Sequence, residues 1–300
     1  DIRKIAVIGP LAKDKDAPIG NWRAQGGGDN AVSLLEGIKS RAGKKTEIIY
    51  HQGCVLENSQ SRGFMSEVNI NNTDTSGIAA AVAIAKDADV VVLAVGEIAL
   101  LSGEARSRSD ISIPGVQPQL IKAVYNANPN VVLVLFNGRP LTIEWEAEHI
   151  PAIVEGWLLG HQSGNALADV LFGNYNPSGK LPVTFPRNGG QVPIYYNHRN
   201  TGKPREKMTD IYITKYIDVS NEPLYHFGHG LSYTTFAYSD LKIETPKVKM
   251  DETVKIAVTV KNTGGIAGEE VVQLYIRDIV ASVGRPVKEL KGFEKIYLEA

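Results

Sequence analysis

Ten residues, Leu101-Ser102-Gly103-Glu104-Ala105-Arg106-Ser107-Arg108-Ser109-Asp110, form a polar, carboxylate-bearing stretch directly after the strongly apolar run at residues 89–95. In open α/β sheets, ligands sit at the carboxyl ends of the strands, so charge placed there is where chemistry is expected. Glu104 is therefore the first candidate for a working residue, with proton transfer as the chemistry open to it. Ser102 and Gly103 give a flexible approach to it, and Ala105 leaves space beside it. The competing role for Glu104 is that of a surface carboxylate neutralised by Arg106 or Arg108.

Other residues at the same mouth have structural readings beside functional ones. Glu97 follows the apolar run directly and reads as a support of the loop through hydrogen bonds to its backbone. Arg139, in Asn137-Gly138-Arg139-Pro140, also follows an apolar run and reads as an anchor of the loop or of an interface. Trp22 reads as a packed indole with its N–H satisfied, the other use being an aromatic platform for a ligand ring. His226 and His229 have a metal-like spacing but lie in a glycine-rich extended segment without a third ligand, which favours structural use. Gly26-Gly27-Gly28-Asp29 precedes a helical pattern and could cradle an anion. The dinucleotide spacing of glycines after the first strand is absent, so nucleotide binding is not expected. Cys54 is the only cysteine; it can form no disulfide within the chain and reads as a small buried apolar side chain. Asn71-Asn72-Thr73 matches a glycosylation acceptor, a pattern short enough to arise by chance.

These residues need a scaffold, and 300 residues with 43% hydrophobic content suffice for two packed domains. Lys and Arg total 32 against 33 Asp and Glu, a net charge of −1, which carries no electrostatic footprint for nucleic acid or an anionic membrane. No apolar run approaches the roughly 20 residues of a membrane span. The chain opens at Asp1, so a secretion signal is expected to be absent or already removed.

Through about residue 175, apolar runs alternate with helical patterns. Residues 4–9, 47–51, 88–96, 130–137 and 151–159 read as strands with little alternation, as in a parallel sheet covered on both faces. Residues 30–41, 76–87, 115–126 and 163–172 read as the crossover helices. The fold class that follows is α/β, an open, doubly wound, mostly parallel sheet spanning residues 1–186. Residues 187–232 read as a linker wrapped over neighbouring surfaces. Residues 233–300 read as a β-sandwich: 253–261 alternates strictly, 270–277 and 293–298 are further strands, and Asn262-Thr263-Gly264-Gly265 is a turn. About four strands stand where such a sandwich has about seven. The domain is expected to be truncated, with unpaired edges and an uncovered inner face.

Several motifs agree in order and spacing with one family. Gly9-Pro10-Leu11-Ala12 with Gly20-Asn21-Trp22, the Ser102–Asp110 stretch and Asn137-Gly138-Arg139-Pro140 resemble glycoside hydrolase family 3. So do Ala168-Asp169-Val170-Leu171-Phe172-Gly173, Asn176-Pro177-Ser178-Gly179-Lys180-Leu181-Pro182, Phe227-Gly228-His229-Gly230-Leu231-Ser232-Tyr233 and the segment from Arg285 to Phe293. The likeness covers essentially the whole chain and is nearest to bacterial periplasmic β-glucosidases. His229 stands where the family usually has tyrosine, and Gly160-His161-Gln162-Ser163-Gly164 replaces a more acidic, glycine-rich sequence.

The resemblance implies a retaining exo-acting β-glucosidase, working on terminal β-linked glucose of oligosaccharides or glucosides in the periplasm or outside the cell, with no cofactor and no metal. A β-xyloside is the alternative substrate. It points to Glu104 as the general acid/base, with Glu97, Ser102, Arg106, Arg108, Asp110 and Arg139 as loop support or substrate neighbours. The family's N-terminal (β/α)₈ barrel, which carries the nucleophile, is missing from this chain, so the chain alone is expected to be inactive. In isolation it could act as a non-catalytic carbohydrate- or protein-binding module. A cation within about 4–6 Å lowers a carboxylate's pKa when a general acid needs it raised. Arg108 is therefore expected on Asp110 or on a backbone carbonyl, with Glu104 desolvated only when the barrel docks. Tyr195, Tyr196, Tyr212 and Tyr216 of the linker are candidates for a homodimer interface, against packing within the chain.

Overall fold

The computed structural model describes residues 2–58, 66–203, 211–245, 247–249 and 251–300. They form two compact units, one of Asp1–Asn174, Phe185–Ile194 and Asp218–Leu224, the other of Tyr175–Thr184, Tyr195–Ile217 and Tyr225–Ala300. The segment read as a linker is thus shared out between both units.

In the first unit the chain runs β1 (Lys4–Ile8), α1 (Leu34–Arg41), β2 (Glu47–His51), α2 (Ile78–Lys86), β3 (Val90–Gly96), α3 (Gln117–Ala127), β4 (Val131–Phe136), α4 (Glu144–His149), β5 (Ala152–Glu155) and α5 (Ser163–Leu171). The five strands form one sheet in the order β2-β1-β3-β4-β5, all parallel. This is the doubly wound sheet expected from the unbroken apolar runs. All seven residues of β3 are buried, because helices cover both faces of a parallel sheet. Its core includes Ile5, Val7, Leu34, Ile38, Val92, Val134 and Phe136. The strand order reverses between β1 and β3. The loops leaving those two strands therefore part at the switch point, where such sheets bind ligands.

Element ends moved for local reasons. The first helix was expected from residue 30 and begins at Leu34, because Ser33 and Glu36 form a reciprocal capping box. The last strand was expected to reach residue 159 and ends at Glu155, since Gly156 follows and Trp157 has φ 43°. Helix α4 was not expected. Its six residues are too few to show a period, and the stacking of Trp145 on His149, ring centroids 4.3 Å apart, marks it only in three dimensions. Cys54 is buried and its thiol is pushed up to about 12, first by burial and then by the charge of Asp74. Asn71 is 1% exposed and its side-chain amide donates to Val55 O and Asp74 O.

The second unit carries β6 (Phe236–Ile243), β7 (Ile256–Asn262), β8 (Gly268–Ile276) and β9 (Glu289–Leu298), paired antiparallel as β6-β7 and β8-β9. β6 was missed in the sequence because Ser239, Asp240 and Lys242 blunt its alternation; the register shifts there, and Asp240 has φ 53°. β9 begins at Glu289, four residues before the expected start. Among the described residues each sheet has two strands, so each strand keeps an unpaired edge, and Leu241 and Phe293 are each 70% exposed. Asn262 ties the strands together: Thr234 donates to its Oδ1 (2.7 Å) and its Nδ2 donates to Ile266 O (2.8 Å) and Glu299 O (2.9 Å). Among the described residues no helix is long and apolar enough to cross a membrane.

Candidate active site

Three loops meet at the carboxyl ends of the central strands: residues 9–22 after β1, 97–110 after β3 and 137–140 after β4. Glu104 is exposed at the apex of a turn closed by Arg106 N donating to Gly103 O (3.2 Å). It has no hydrogen-bond or ion-pair partner among the described residues. Gly103 and Ala105, on either side of it, have φ 123° and 56°. A Cβ on Gly103 would lie 2.8 Å from Asn21 Nδ2 and 3.2 Å from Trp22 Nε1. Glycine is therefore required here by close approach of the β1 loop as well as by backbone angle. Trp22 is 70% exposed, which overturns its reading as a packed indole in this chain. Asn21 Nδ2 is buried without a partner.

Beneath this turn lies a buried clamp. Glu97 is 2% exposed, and its Oε1 lies 2.8 Å from Arg108 Nη1 and 3.0 Å from Arg139 Nε. Its Oε2 accepts from Gly138 N (3.2 Å). Arg139 Nη2 donates to Leu101 O and to Arg106 O, the latter at 2.8 Å. One guanidinium thus grips the backbone on both sides of Glu104. A Cβ on Gly138 would come within 1.9 Å of Ser102 Oγ, so the β4 and β3 loops touch only because glycine stands there.

The arginines flanking Glu104 are both engaged elsewhere. Arg106 Nη2 donates to Ser66 O (3.0 Å). Arg108 donates to Ser112 O (3.0 Å), the backbone carbonyl expected, but its carboxylate partner is Glu97 rather than Asp110. Asp110 instead accepts from Ser112 N (2.8 Å), and this bond, with the Ser112 hydroxyl, holds its carboxyl below the usual range. Glu97 was expected to hydrogen-bond the loop backbone; its partners are instead the two arginines and Gly138 N. A cleft of about 530 Å³ opens beyond Arg108 and Asp110, lined also by Ile70, Pro118 and Lys122; Glu104 does not line it.

Sequence reasoning missed Glu155 and Asn137. The Glu155 carboxyl is pushed up to about 8, chiefly by burial and further by the Glu97 carboxylate, against hydrogen bonds from Trp157 N (3.0 Å) and Asn137 Nδ2 (3.4 Å). A carboxyl residue directly after a strand singled out Glu97; Glu155 escaped that signal because its strand was expected to run on to residue 159, whereas it ends at Glu155.

The remaining candidates lie apart from these loops or in the other unit. His229 stacks on Tyr225 with ring centroids 5.0 Å apart, and burial lowers its pKa. Among the described residues no group of three or more His, Cys, Asp or Glu side chains gathers as a metal site. Of the four linker tyrosines, Tyr196 stacks on Phe227 (4.2 Å), whereas Tyr195 and Tyr212 are 62% and 67% exposed and Tyr216 is 46% exposed.

Comparison with known proteins finds that the chain is similar to glycosidases. The profile of the glycosyl hydrolase family 3 C-terminal domain matches residues 1–233, and that of a fibronectin type III-like domain matches residues 270–300. A periplasmic beta-glucosidase of Salmonella typhimurium is 45% identical over 98% of the chain and 40% of its own length. A beta-xylosidase of Formosa agariphila is 39% identical over 99% of the chain and 39% of its own length. The crystal structure of a beta-glucosidase from Listeria innocua in complex with isofagomine matches with a TM-score of 0.85 at 38% identity, over 99% of the chain and 39% of that protein. The chain thus spans about two fifths of the length of these relatives.

Proposed function

The chain belongs to glycoside hydrolase family 3, and on that footing we propose that it is the part of a retaining, exo-acting β-glucosidase that supplies the general acid/base, Glu104. The substrate is a terminal β-linked glucose of an oligosaccharide or glucoside. The observation that carries this reading is the setting of Glu104: it stands at the apex of a turn at the sheet's switch point, without a partner among the described residues, while Arg106 and Arg108 are bonded elsewhere. A carboxyl that must hold a proton for delivery is best kept away from cations.

In a retaining enzyme the two carboxyl groups stand about 5–5.5 Å apart. The nucleophile comes from a (β/α)₈ barrel outside this chain and attacks the anomeric carbon. Glu104 donates its proton to the leaving glycosidic oxygen, and the resulting carboxylate then takes a proton from the water that releases the sugar. Docking of the barrel desolvates Glu104 and raises its readiness to carry the proton. Trp22, exposed beside Gly103, offers an apolar face to a sugar ring. Alone, with one catalytic carboxyl, the chain does not turn over. The beta-xylosidase among its relatives favours a β-xyloside as the second substrate. The periplasmic relative favours a periplasmic or secreted location.

The test is hydrolysis of aryl β-glucosides by this chain combined with the barrel half. Activity is expected only in the combination, and Glu104→Gln should lower it by about 10²–10⁴-fold. An activated aryl glucoside should still load the nucleophile in that variant, and azide, which needs no base, should then restore turnover. Full activity in Glu104→Gln would reject the assignment.

A further inference from the structure

The clamp that holds the Glu104 turn does not end at Arg139. Asn137 Nδ2 donates to Arg139 O (2.8 Å) and reaches Glu155 Oε2 (3.4 Å), while Glu155 Oε1 accepts from Trp157 N (3.0 Å). A line of contacts therefore runs from the end of β5 through the β4 loop to the carbonyls of Leu101 and Arg106 on either side of Glu104. We propose that Glu155 is a positioning residue for the Glu104 turn, acting through the Asn137 amide and the Arg139 guanidinium.

The setting favours a neutral Glu155. Glu97 is the carboxylate that Arg108 and Arg139 share, one negative charge against two positive. The charged group that acts on Glu155 is the Glu97 carboxylate, which raises its pKa further. A second carboxylate would repel Glu97 and compete with it for Arg139, drawing the guanidinium off the carbonyls it grips. Asn137 Oδ1 is also a buried acceptor without a partner, and a neutral carboxylic acid carries an O–H donor that a carboxylate lacks. Burial of the Glu155 carboxyl keeps the proton on, up to about pH 8.

This inference rests on the assignment of Glu104, and its test separates the two. Hydrogen exchange is read in the 300-residue chain at the amides of Leu101 and Arg106, which are bonded to Ile98 O and Gly103 O. Protection factors, corrected for the intrinsic rate, are compared at pH 6.5 and pH 9.5, roughly 1.5 units either side of the Glu155 midpoint. They are expected to fall by about tenfold or more in the wild type and to hold in Glu155→Gln, which keeps the hydrogen bonds without the charge. Amides of β1 and β3 should not change in either. In the assembled enzyme, Glu155→Gln should keep kcat near the wild-type value below pH 7 and lose less of it above pH 8, with KM unmoved. Equal protection at both pH values in the wild type, or an equal fall in Glu155→Gln, overturns the proposal. Activity that survives Glu104→Gln overturns the acid/base reading instead and leaves the exchange result standing.

Discussion

The loop after β3 has two parts built on opposite terms. At its tip Glu104 and Ala105 are exposed, Ala105 has a left-handed backbone, and the Glu104 side chain has no partner among the described residues. Its base is the buried Glu97, ion-paired with Arg108 of the same loop and Arg139 of the next, each of the three also bonded to backbone. The difference teaches where the fold spends its interactions. Among the described residues, the side chain with chemistry open to it makes no hydrogen bond or ion pair, and the charged groups beneath it make several. A carboxyl that must gain and lose a proton cannot be held by partners that fix its charge, so it is held by its backbone, and the charges are placed one layer below.

The largest break in this contrast comes from removing each carboxyl in turn. Glu104→Gln should lower glycoside hydrolysis by about 10²–10⁴-fold, yet shift stability by no more than about 0.5 kcal/mol, as for a surface residue. Glu97→Ala should do the reverse to the fold. It leaves two guanidinium groups, 17% and 19% exposed, without their counter-charge, and breaking a buried pair in this way costs about 3–5 kcal/mol. Denaturant unfolding of the chain reads both. A stable Glu97→Ala variant with an intact turn would show that the arginines find other partners, and the layered picture would fall.

How much of this could be read beforehand follows the same division. β3 and β4 were legible because seven and six consecutive apolar residues admit little but a doubly covered strand, and Glu104 was legible from the polar run behind them. The partner of Arg108 was not. Chain proximity suggests Asp110, two residues on, whereas the loop folds back to bring Glu97, eleven residues earlier, within 2.8 Å. Asn137 and Glu155 belong to different strand ends, and only the sheet order, which sets β4 beside β5, joins them. Helix α4 and strand β6 fail for a local reason: one is too short for a period and the other is broken by a bulge.

A middle-sized effect concerns Glu155. In the native chain its carboxyl keeps its proton up to about pH 8, while the ordinary value of 4.5 applies once the chain unfolds. The native state therefore binds the extra proton throughout that window, and stability falls as pH rises across it, by up to about 1.4 kcal/mol per pH unit. Glu155→Gln removes the slope. Carboxylates with lowered values, such as Asp110 and Asp169, act in the opposite sense and only in acid, so the difference between wild type and variant isolates Glu155. Parallel pH profiles of unfolding free energy for the two proteins would show that its proton is not held.

The smallest effect tests the strain at the tip. Ala105 has φ 56°, a left-handed conformation that costs a residue with a Cβ about 1–2 kcal/mol. Glycine adopts it freely, but its extra freedom in the unfolded chain takes back about 0.4–1 kcal/mol. Ala105→Gly should therefore raise stability by about 0.5 kcal/mol, seen as a higher denaturant midpoint at unchanged slope. The same change frees the apex that presents Glu104, so kcat of the assembled enzyme should fall by a small factor while KM stays put. The two shifts in opposite directions are what a tip held by its own backbone requires. A variant that loses stability would place the restraint in side-chain contacts of Ala105, and the contrast between a bare tip and a bonded base would no longer hold.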